Sequence, residues 1–351
     1  MWEADVTDLR GEAVPRPTLR QVAALAGVSV KTVSRVLNHE PYVRQQTEER
    51  VWTAAAQLGF RVNAIARELR SAAASTAVGM LIGDLANPFW SAIARGAEKE
   101  LSRHGFLLIT ASTDEDSRLE WSLTKAMLDR RVRALLVVPT SGDHSYLDAE
   151  RRQGLAVVFI DRPPSHLLAD VIILDNAGGA RAATDHLLRN GHRRIAVIGD
   201  APRLYTHRER LAGFRDAMER AGVTGGEQYL RLKSHNAETS ENDTRELMIM
   251  TPPPTALFTM NNWNTAGALR VFKDWPAKKP LPALIGFDDL DLGDLVDVSV
   301  IEHDPEEMGR LAASAALARM SGDEGPPRSI VMPTRLIARG SGERAPAPGS
   351  S

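Results

Sequence analysis

The sequence predicts two parts: a small helical module near the N-terminus, followed by an α/β body of two doubly wound parallel sheets. Three observations predict this fold class. Two short helical patterns joined by a glycine occupy residues 19–38, and apolar strand-like runs alternate with amphipathic helical patterns from residue 77 onwards. The chain of 351 residues is also long enough for more than one domain, at about 100–200 residues each.

The first helical pattern begins after Thr18, which is placed to form a capping box with Gln21, and it ends at Gly27. Its expected buried stripe is Val22, Ala23, Leu25 and Ala26. Ser29 caps a second helix, whose expected inner side is Val33, Val36 and Leu37. The outer side mixes short hydroxyl and cationic side chains, which suit phosphates and major-groove base edges: Val30, Lys31, Thr32, Ser34 and Arg35.

A third helix is predicted from Thr47 to Leu58, with Gly59 as its stop. Its expected core positions are Val51, Trp52, Ala55 and Leu58. Residues 16–70 hold nine basic and four acidic side chains, while the rest of the chain is net acidic, so polyanions are directed to one end of the molecule. Taken alone, the first two helices are equally consistent with an ordinary helix pair whose polar face is solvated.

Five segments carry a resemblance that spans nearly the whole chain: VAALAGVSVKTVSRVLN, NAIARELR, NPFW, RLAGF and GFDD. With them the chain resembles the LacI/GalR family of bacterial transcription regulators. The resemblance implies a helix-turn-helix DNA-binding headpiece at residues 16–62 and a hinge helix with linker at 63–75. It also implies a core at 76–339 that is similar to periplasmic sugar-binding proteins. Residues 1–15 and 340–351 are expected to be disordered tails.

The resemblance assigns base reading to Val30, Lys31 and Arg35. In the family, the hinge becomes helical when two copies pair over the operator, and the leucine matching Leu69 wedges between base steps in the minor groove. By composition alone the same segment is also consistent with a plain linker. The full set of residues expected to contact DNA is Ser29, Val30, Lys31, Thr32, Ser34, Arg35, Asn38, Tyr42, Asn63, Ala66, Arg67, Leu69 and Arg70.

The body is expected to hold two sets of buried strands, because continuous apolar runs are typical of parallel sheets covered by helices. The first set is Ala77–Gly83, Phe106–Ala111, Ala134–Val138, Ala156–Ile160 and Val171–Leu174. The second set is Ile195–Ile198, Ala256–Thr259, Ala283–Phe287 and Val298–Ile301. The helices predicted between them include Phe89–His104, Arg118–Arg130, Ala177–Asn190, Glu209–Ala221 and Asn264–Lys273.

Each set of strands predicts one lobe of the core. The first lobe is expected at about 76–175 and 303–320, and the second at about 176–302 and 321–339. A helix from Pro305 to Met320 should therefore return to the first lobe, and the segment Ile330–Ile337 should join the second. Ligands of such sheets bind at the carboxyl ends of the strands.

Polar residues follow several of these strand ends, and each alone is equally consistent with a helix cap or a turn. Together they offer two carboxylates, an arginine, an amide and two aromatic rings, which suit a hydroxyl-rich ring. The resemblance implies effector contacts at Phe89, Trp90, Asp161, Arg210, Asn261 and Asp288, with Thr206 and His303 as neighbours. The stretch LKSHNAETSEND lacks the aromatic residue often found there in the family, so no stacking ring is expected from that side.

No catalytic or cofactor motif stands out. Cysteine is absent, which excludes disulfides and thiolate metal sites, and the nine histidines show no HExxH spacing. No GxSxG or GxxxxGK[ST] segment is present. We therefore expect no enzyme activity, no metal and no cofactor. The chain has no run apolar enough to cross a bilayer and a polar, acidic start, so a cytoplasmic location is expected.

These observations and the resemblance together predict a repressor that binds a palindromic double-stranded DNA operator as a homodimer. A small-molecule effector held between the two core lobes is expected to control it. A carbohydrate is favoured over a purine because two acids face a single arginine. The alternatives are a solute-binding protein or a sugar-converting enzyme with an appended DNA-binding head.

Overall fold

A computed structural model describes residues 17–37, 43–60, 75–140 and 142–347. The chain divides into two compact units, Met1–Ala74 and Ser75–Ser351. The described part of the first unit is called the headpiece below, and that of the second is called the core. Within these ranges, no helix combines the length and apolar character needed to cross a membrane.

The described headpiece contains the helices α1 (Leu19–Ala26), α2 (Val30–Leu37) and α3 (Gln45–Gln57). The predicted capping box is confirmed, because the Thr18 side chain accepts from the N–H of Gln21 and the Gln21 side chain accepts from the N–H of Thr18. Gly27 has the predicted left-handed conformation, with φ 64°. The Ser29 hydroxyl accepts from the N–H of Thr32 at 3.1 Å, so the predicted cap of α2 is confirmed too.

Two residues predicted for the headpiece core lie on its surface. Leu25 is 51% exposed and Trp52 is 39% exposed. The buried stripes are Val22, Ala23 and Ala26 on α1, and Val51, Ala54 and Ala55 on α3. Leu25 and Trp52 each lie about 100° round their helix from the centre of its buried stripe. Short helices that each face only two neighbours bury a narrower stripe than the sequence pattern indicates.

The first lobe of the core is built on a six-stranded sheet with the order β11-β5-β4-β3-β1-β2, in which every pair is parallel. Its strands are β1 (Ala77–Ile82), β2 (Leu107–Ser112), β3 (Ala134–Val137), β4 (Ala156–Ile160), β5 (Asp170–Leu174) and β11 (Ser329–Met332). Its helices are α4 (Pro88–Arg103), α5 (Ser117–Asp129), the short α6 (Asp148–Arg152) and α11 (Pro305–Met320). The return of α11 to this lobe is as predicted.

The second lobe has a six-stranded sheet with the order β12-β10-β9-β8-β6-β7, parallel except where β12 meets β10. Its strands are β6 (Ile195–Ile198), β7 (Leu230–Arg231), β8 (Ala256–Thr259), β9 (Ala283–Phe287), β10 (Ser299–Glu302) and β12 (Arg335–Ile337). Its helices are α7 (Asn176–Arg189), α8 (Tyr205–Arg220), α9 (Ala237–Met248) and α10 (Asn262–Lys273). Helix α9 was not predicted from the sequence, and α8 begins four residues before its predicted start at Glu209.

The segment Ile330–Ile337 does not join the second lobe as a unit, so that prediction is wrong. Ser329–Met332 pairs in parallel with β5 in the first sheet, whereas Arg335–Ile337 pairs antiparallel with β10 in the second. The chain therefore crosses between the lobes here for a third time, after the crossings that follow β5 and β10. The apolar pattern of the sequence does not show that β11 and β12 join different sheets, because each sheet has an edge strand with which an apolar segment can pair.

The predicted C-terminal tail also begins too early, since residues 339–344 pack on the second lobe. Ser341 is 1% exposed, and its hydroxyl donates to the carbonyl of Leu284 at 2.6 Å. The carbonyl of Arg344 lies 2.7 Å from a ring nitrogen of His192. Polar side chains and backbone groups anchor this segment, so its small, polar composition is not a sign of disorder.

Helices α4 and α11 approach each other closely through two glycines. A Cβ on Gly96 would lie 1.9 Å from the carbonyl oxygen of Glu306, and one on Gly309 would lie 1.9 Å from that of Ile93. No real side chain tolerates such a distance to backbone. The two helices must therefore separate if either glycine gains a side chain.

We expect Gly309→Ala to lower the free energy of unfolding of the core by about 1–3 kcal/mol, the cost of overpacking a rigid contact. Urea unfolding followed by circular dichroism measures this change. Gly226→Ala is the control, because a Cβ there would meet only the end of Met218, at 3.8 Å. Equal stability of the two variants would contradict the close packing.

Candidate functional site

A polar cavity of about 300 Å³ lies between the carboxyl ends of the two sheets. All six residues predicted to contact an effector line it: Phe89, Trp90, Asp161, Arg210, Asn261 and Asp288. Thr206 lines it as well. His303 is not part of the lining but contacts Asp288, which is. The structure therefore brings together residues that are up to 199 positions apart between Phe89 and Asp288 in the sequence. We call this space the interlobe cavity.

Asp161 and Asp288 occupy equivalent positions in the two lobes. Each directly follows a central strand, β4 or β9, and each has left-handed backbone, with φ 69° and 71°. The N–H of Asp161 donates to Ile172 at 2.7 Å, and that of Asp288 donates to Ile301 at 3.1 Å. Aspartate tolerates this conformation better than most residues. These backbone hydrogen bonds to the neighbouring strands, β5 and β10, hold each carboxylate at the cavity.

Asp288 is an anionic anchor in the second lobe. Its oxygens lie 2.9 Å from Nε2 of His303, 3.3 Å from the N–H of Asn262 and 3.7 Å from Nη2 of Arg210. Burial by itself would raise the pKa of Asp288, but Arg210, His303 and the Asn262 N–H together hold the pKa below its usual value. The carboxylate is therefore ionised at neutral pH.

Asp161 has a different environment although it is just as buried. Its Oδ2 accepts from Nε of Arg162 at 3.2 Å. Among the described residues, no hydrogen-bond partner reaches its other oxygen, Oδ1. Burial raises the pKa of Asp161, and the nearby Arg162 and Arg210 only partly oppose this effect. A buried carboxyl oxygen without a partner at a cavity is suited to bind a ligand hydroxyl.

Arg210 is held rigidly from α8. Its Nε donates to Asn176 at 2.8 Å, and Nη1 donates to the carbonyl of Met260. The guanidinium plane stacks on Phe287, with its central carbon 3.6 Å from the ring centroid. The remaining Nη2 faces Asp288 and the cavity.

Sequence reasoning missed several lining residues, among them Glu115, Arg162, His207, Asn262 and Trp263. Arg162 directly follows Asp161, and Glu115 follows the end of β2, so the strand-end rule could have identified both. Nδ1 of His207 accepts from the N–H of Asp200 at 3.1 Å, and burial lowers its pKa to about 3. His207 is therefore a neutral imidazole that carries its proton on Nε2.

The outer face of α2 is the second candidate site. Val30 is 42% exposed, Lys31 and Arg35 are exposed, and Thr32 and Ser34 are half-buried. Arg50 has a different role, because it donates to the carbonyls of Ala26 and Gly27 at the end of α1. Other residues predicted to contact DNA lie outside the described ranges: Asn38, Tyr42, Asn63, Ala66, Arg67, Leu69 and Arg70.

Two family models match the chain. "Bacterial regulatory proteins, lacI family" covers residues 18–63, and "Periplasmic binding protein-like domain" covers residues 184–342. The chain is 32% identical to the HTH-type transcriptional regulator PtxS of Pseudomonas aeruginosa, over 95% of this chain and 98% of that protein. It is 28% identical to the HTH-type transcriptional repressor PurR of Photobacterium profundum, over 92% and 97% of the two chains.

Among solved structures, the transcriptional regulator CelR–cellobiose complex is similar, with a TM-score of 0.68 and 28% identity. The match covers 93% of this chain and 100% of that one. Together with the two family models, it confirms the predicted fold class: a helix-turn-helix headpiece and a periplasmic-binding-protein-like core.

Proposed function

Because the chain belongs to the LacI family of bacterial regulatory proteins, we propose that it represses transcription by binding a palindromic operator as a dimer, under the control of a small molecule. The observation that carries this proposal is the interlobe cavity, whose lining combines fixed donors and acceptors from both lobes. The relatives named above are regulators, and we propose neither catalysis nor a cofactor for this chain. We place it in the cytoplasm, where the operator is.

The headpiece supports the DNA-binding half of the proposal. Val30 and Lys31 open α2, the position from which helix-turn-helix proteins aim side chains at base edges. Valine offers apolar contact to a thymine methyl group, and lysine offers a donor to a guanine or a phosphate. One headpiece reads only a half-site, so a palindromic operator requires two chains related by a two-fold axis.

The interlobe cavity supports a hydroxyl-rich effector. Ionised Asp288 and the unpartnered Oδ1 of Asp161 accept hydroxyl protons from opposite lobes, and Arg210 donates between them. Phe89 and Trp90, with ring centroids 4.6 Å apart, offer an apolar surface for a sugar ring. The CelR relative is described in complex with cellobiose. We therefore propose a carbohydrate effector, and a cavity of about 300 Å³ favours a small one.

Control of DNA binding follows from the position of this cavity. An effector that touches both lobes favours one angle between them. The three chain segments that cross from one lobe to the other connect the lobes, so a change in this angle affects the whole core. One direct link between the lobes is an amide pair at the helix starts of α4 and α10. Asn262 Nδ2 donates to Asn87 Oδ1 at 2.7 Å, and Asn87 Nδ2 lies 3.3 Å from Asn262 Oδ1.

We expect Asn262→Ala to widen the separation of the lobes and to weaken effector binding up to about 30-fold, because two hydrogen bonds of about 1 kcal/mol each no longer favour this arrangement. Distances between spin labels placed on the two lobes measure the separation. Asn242→Ala, at an exposed position of α9, is the control. Unchanged distances in Asn262→Ala would show that the amide pair does not hold the lobes.

The proposed function is tested by selecting fragments of the source genome with the purified full-length protein and footprinting the enriched DNA. We expect one or a few promoter fragments whose protected region has two-fold sequence symmetry. Enrichment of no fragment over random DNA, in the presence and absence of sugars, would contradict the proposal.

A further inference from the structure

Carboxyl groups outnumber cationic side chains in the interlobe cavity. Two guanidinium groups line it, from Arg162 and Arg210, and the carboxyl groups are those of Asp84, Asp114, Glu115, Asp161, Asp200 and Asp288. Even with Asp161 protonated, five carboxylates would face the two guanidinium groups. His207 adds no charge, because burial lowers its pKa to about 3. The cavity is therefore negative overall.

Arg162 is not available to hold a ligand anion, because Glu115 already engages it. Nη1 and Nη2 donate to the two oxygens of the Glu115 carboxylate at 2.6 and 2.7 Å, the paired geometry in which arginine binds carboxylates most strongly. Nε donates to Asp161, and Nη1 also lies 3.3 Å from the carbonyl of Pro139. The side chain is only 8% exposed.

Arg210 is similarly committed. Two of its three nitrogens donate to Asn176 and Met260, and the third faces Asp288. An anion entering the cavity would lose its hydration and meet carboxylates, and both guanidinium groups in the lining are already paired. Such a transfer is strongly unfavourable. A neutral polyol, by contrast, can donate to the carboxylates and accept from Arg210 and from Nε2 of His207.

We propose that the Glu115–Arg162 pair sets the charge selectivity of the interlobe cavity, so that it accepts an uncharged sugar and excludes phosphorylated and carboxylate sugars. This inference rests on the proposed function, in which the cavity binds a carbohydrate. Glu115 is the selectivity residue. Its carboxylate accepts both Nη hydrogen bonds of Arg162, the one arginine among the described residues of the first lobe that lines the cavity. Without that negative charge, the Nη1 and Nη2 groups of Arg162 that now donate to Glu115 would be able to donate to a ligand anion.

The test is calorimetric titration of the full-length protein with matched probes. Glucose, galactose, mannose, fructose and ribose are each compared with their phosphorylated form and, for the aldoses, with the aldonate. We expect at least one uncharged sugar to bind, and its anionic derivatives to bind about 100-fold more weakly. Equal or tighter binding of an anionic derivative would overturn the proposal. This comparison needs no variant, so it does not depend on the folding of a mutant.

Glu115→Gln is expected to improve binding of the anionic derivatives about tenfold relative to the neutral parent, and the double variant with Arg162→Gln should lose that gain. Glu98→Gln, the same change at an exposed position of α4, should keep the wild-type selectivity. Unchanged selectivity in Glu115→Gln would overturn the assignment of Glu115. If no sugar of either kind binds while the operator still does, the proposed carbohydrate effector is wrong, and this inference fails with it.

Discussion

Asp288→Asn is expected to abolish the response to the effector while operator binding persists. Asparagine tolerates the left-handed backbone at this position and still accepts from the N–H of Asn262. It removes, however, the negative charge that faces Arg210 and His303. Losing one member of a buried, hydrogen-bonded charge set costs about 2–5 kcal/mol, so we expect effector affinity to fall at least about 30-fold. Arg210→Ala should show the same loss. Operator release measured against effector concentration, by fluorescence anisotropy, reports both properties.

The neighbouring residue supplies the control. Asp289 does not line the cavity, because its carboxylate pairs with Arg339 at 2.6 and 2.7 Å on the outside of the second lobe. Asp289→Asn should therefore respond to the effector like the wild type. A normal response in Asp288→Asn, or its loss in both variants, would show that the interlobe cavity is not the effector site.

Lys31→Glu is expected to lower operator affinity at least about 100-fold without affecting effector binding. Lys31 is exposed at the start of α2, where a negative charge would face the phosphates and base edges of the operator. Replacing a cation by an anion loses one favourable contact and adds a repulsive one. The slope of log affinity against log salt concentration should also fall by about one or two charges.

A control variant tests whether the net charge of the protein, and not the position of Lys31, causes the loss of operator affinity. Lys278→Glu makes the same change of two units at an exposed position of the core and should leave operator affinity and its salt dependence nearly unchanged. If the two variants lose affinity equally, the attraction is a property of net charge, and α2 is not the recognition helix.

The sequence was sufficient where a short-range interaction decides the structure. The capping box at Thr18 and Gln21 and the left-handed Gly27 depend on neighbours within a few residues, and all were predicted. Most strands of both sheets were predicted as well, because burial on both faces leaves a continuous apolar run. The residues that line the cavity follow from the same rule, since parallel strands end at a common edge.

The wrong and missing predictions have a common cause: each concerns a feature that depends on tertiary contacts between residues distant in the sequence. The start of α8 has no side-chain cap, so nothing in the sequence indicated that the helix includes His207. Leu25 and Trp52 are apolar at helical spacing, but tertiary packing leaves them 51% and 39% exposed. The strands β11 and β12 lie two residues apart and differ only in which sheet edge they meet. The contact between Glu115 and Arg162 joins residues 47 positions apart, and it follows only from the fold.

We expect ligand binding in the interlobe cavity and operator binding by the headpiece to be thermodynamically coupled. The most direct measurement is the affinity for the effector with and without saturating operator DNA, together with the affinity for the operator with and without saturating effector. We expect both ratios to be equal and to lie between about 5 and 150, because coupling between two binding sites is reciprocal. If the effector binds with the same affinity whether or not the operator is present, the cavity does not control the headpiece.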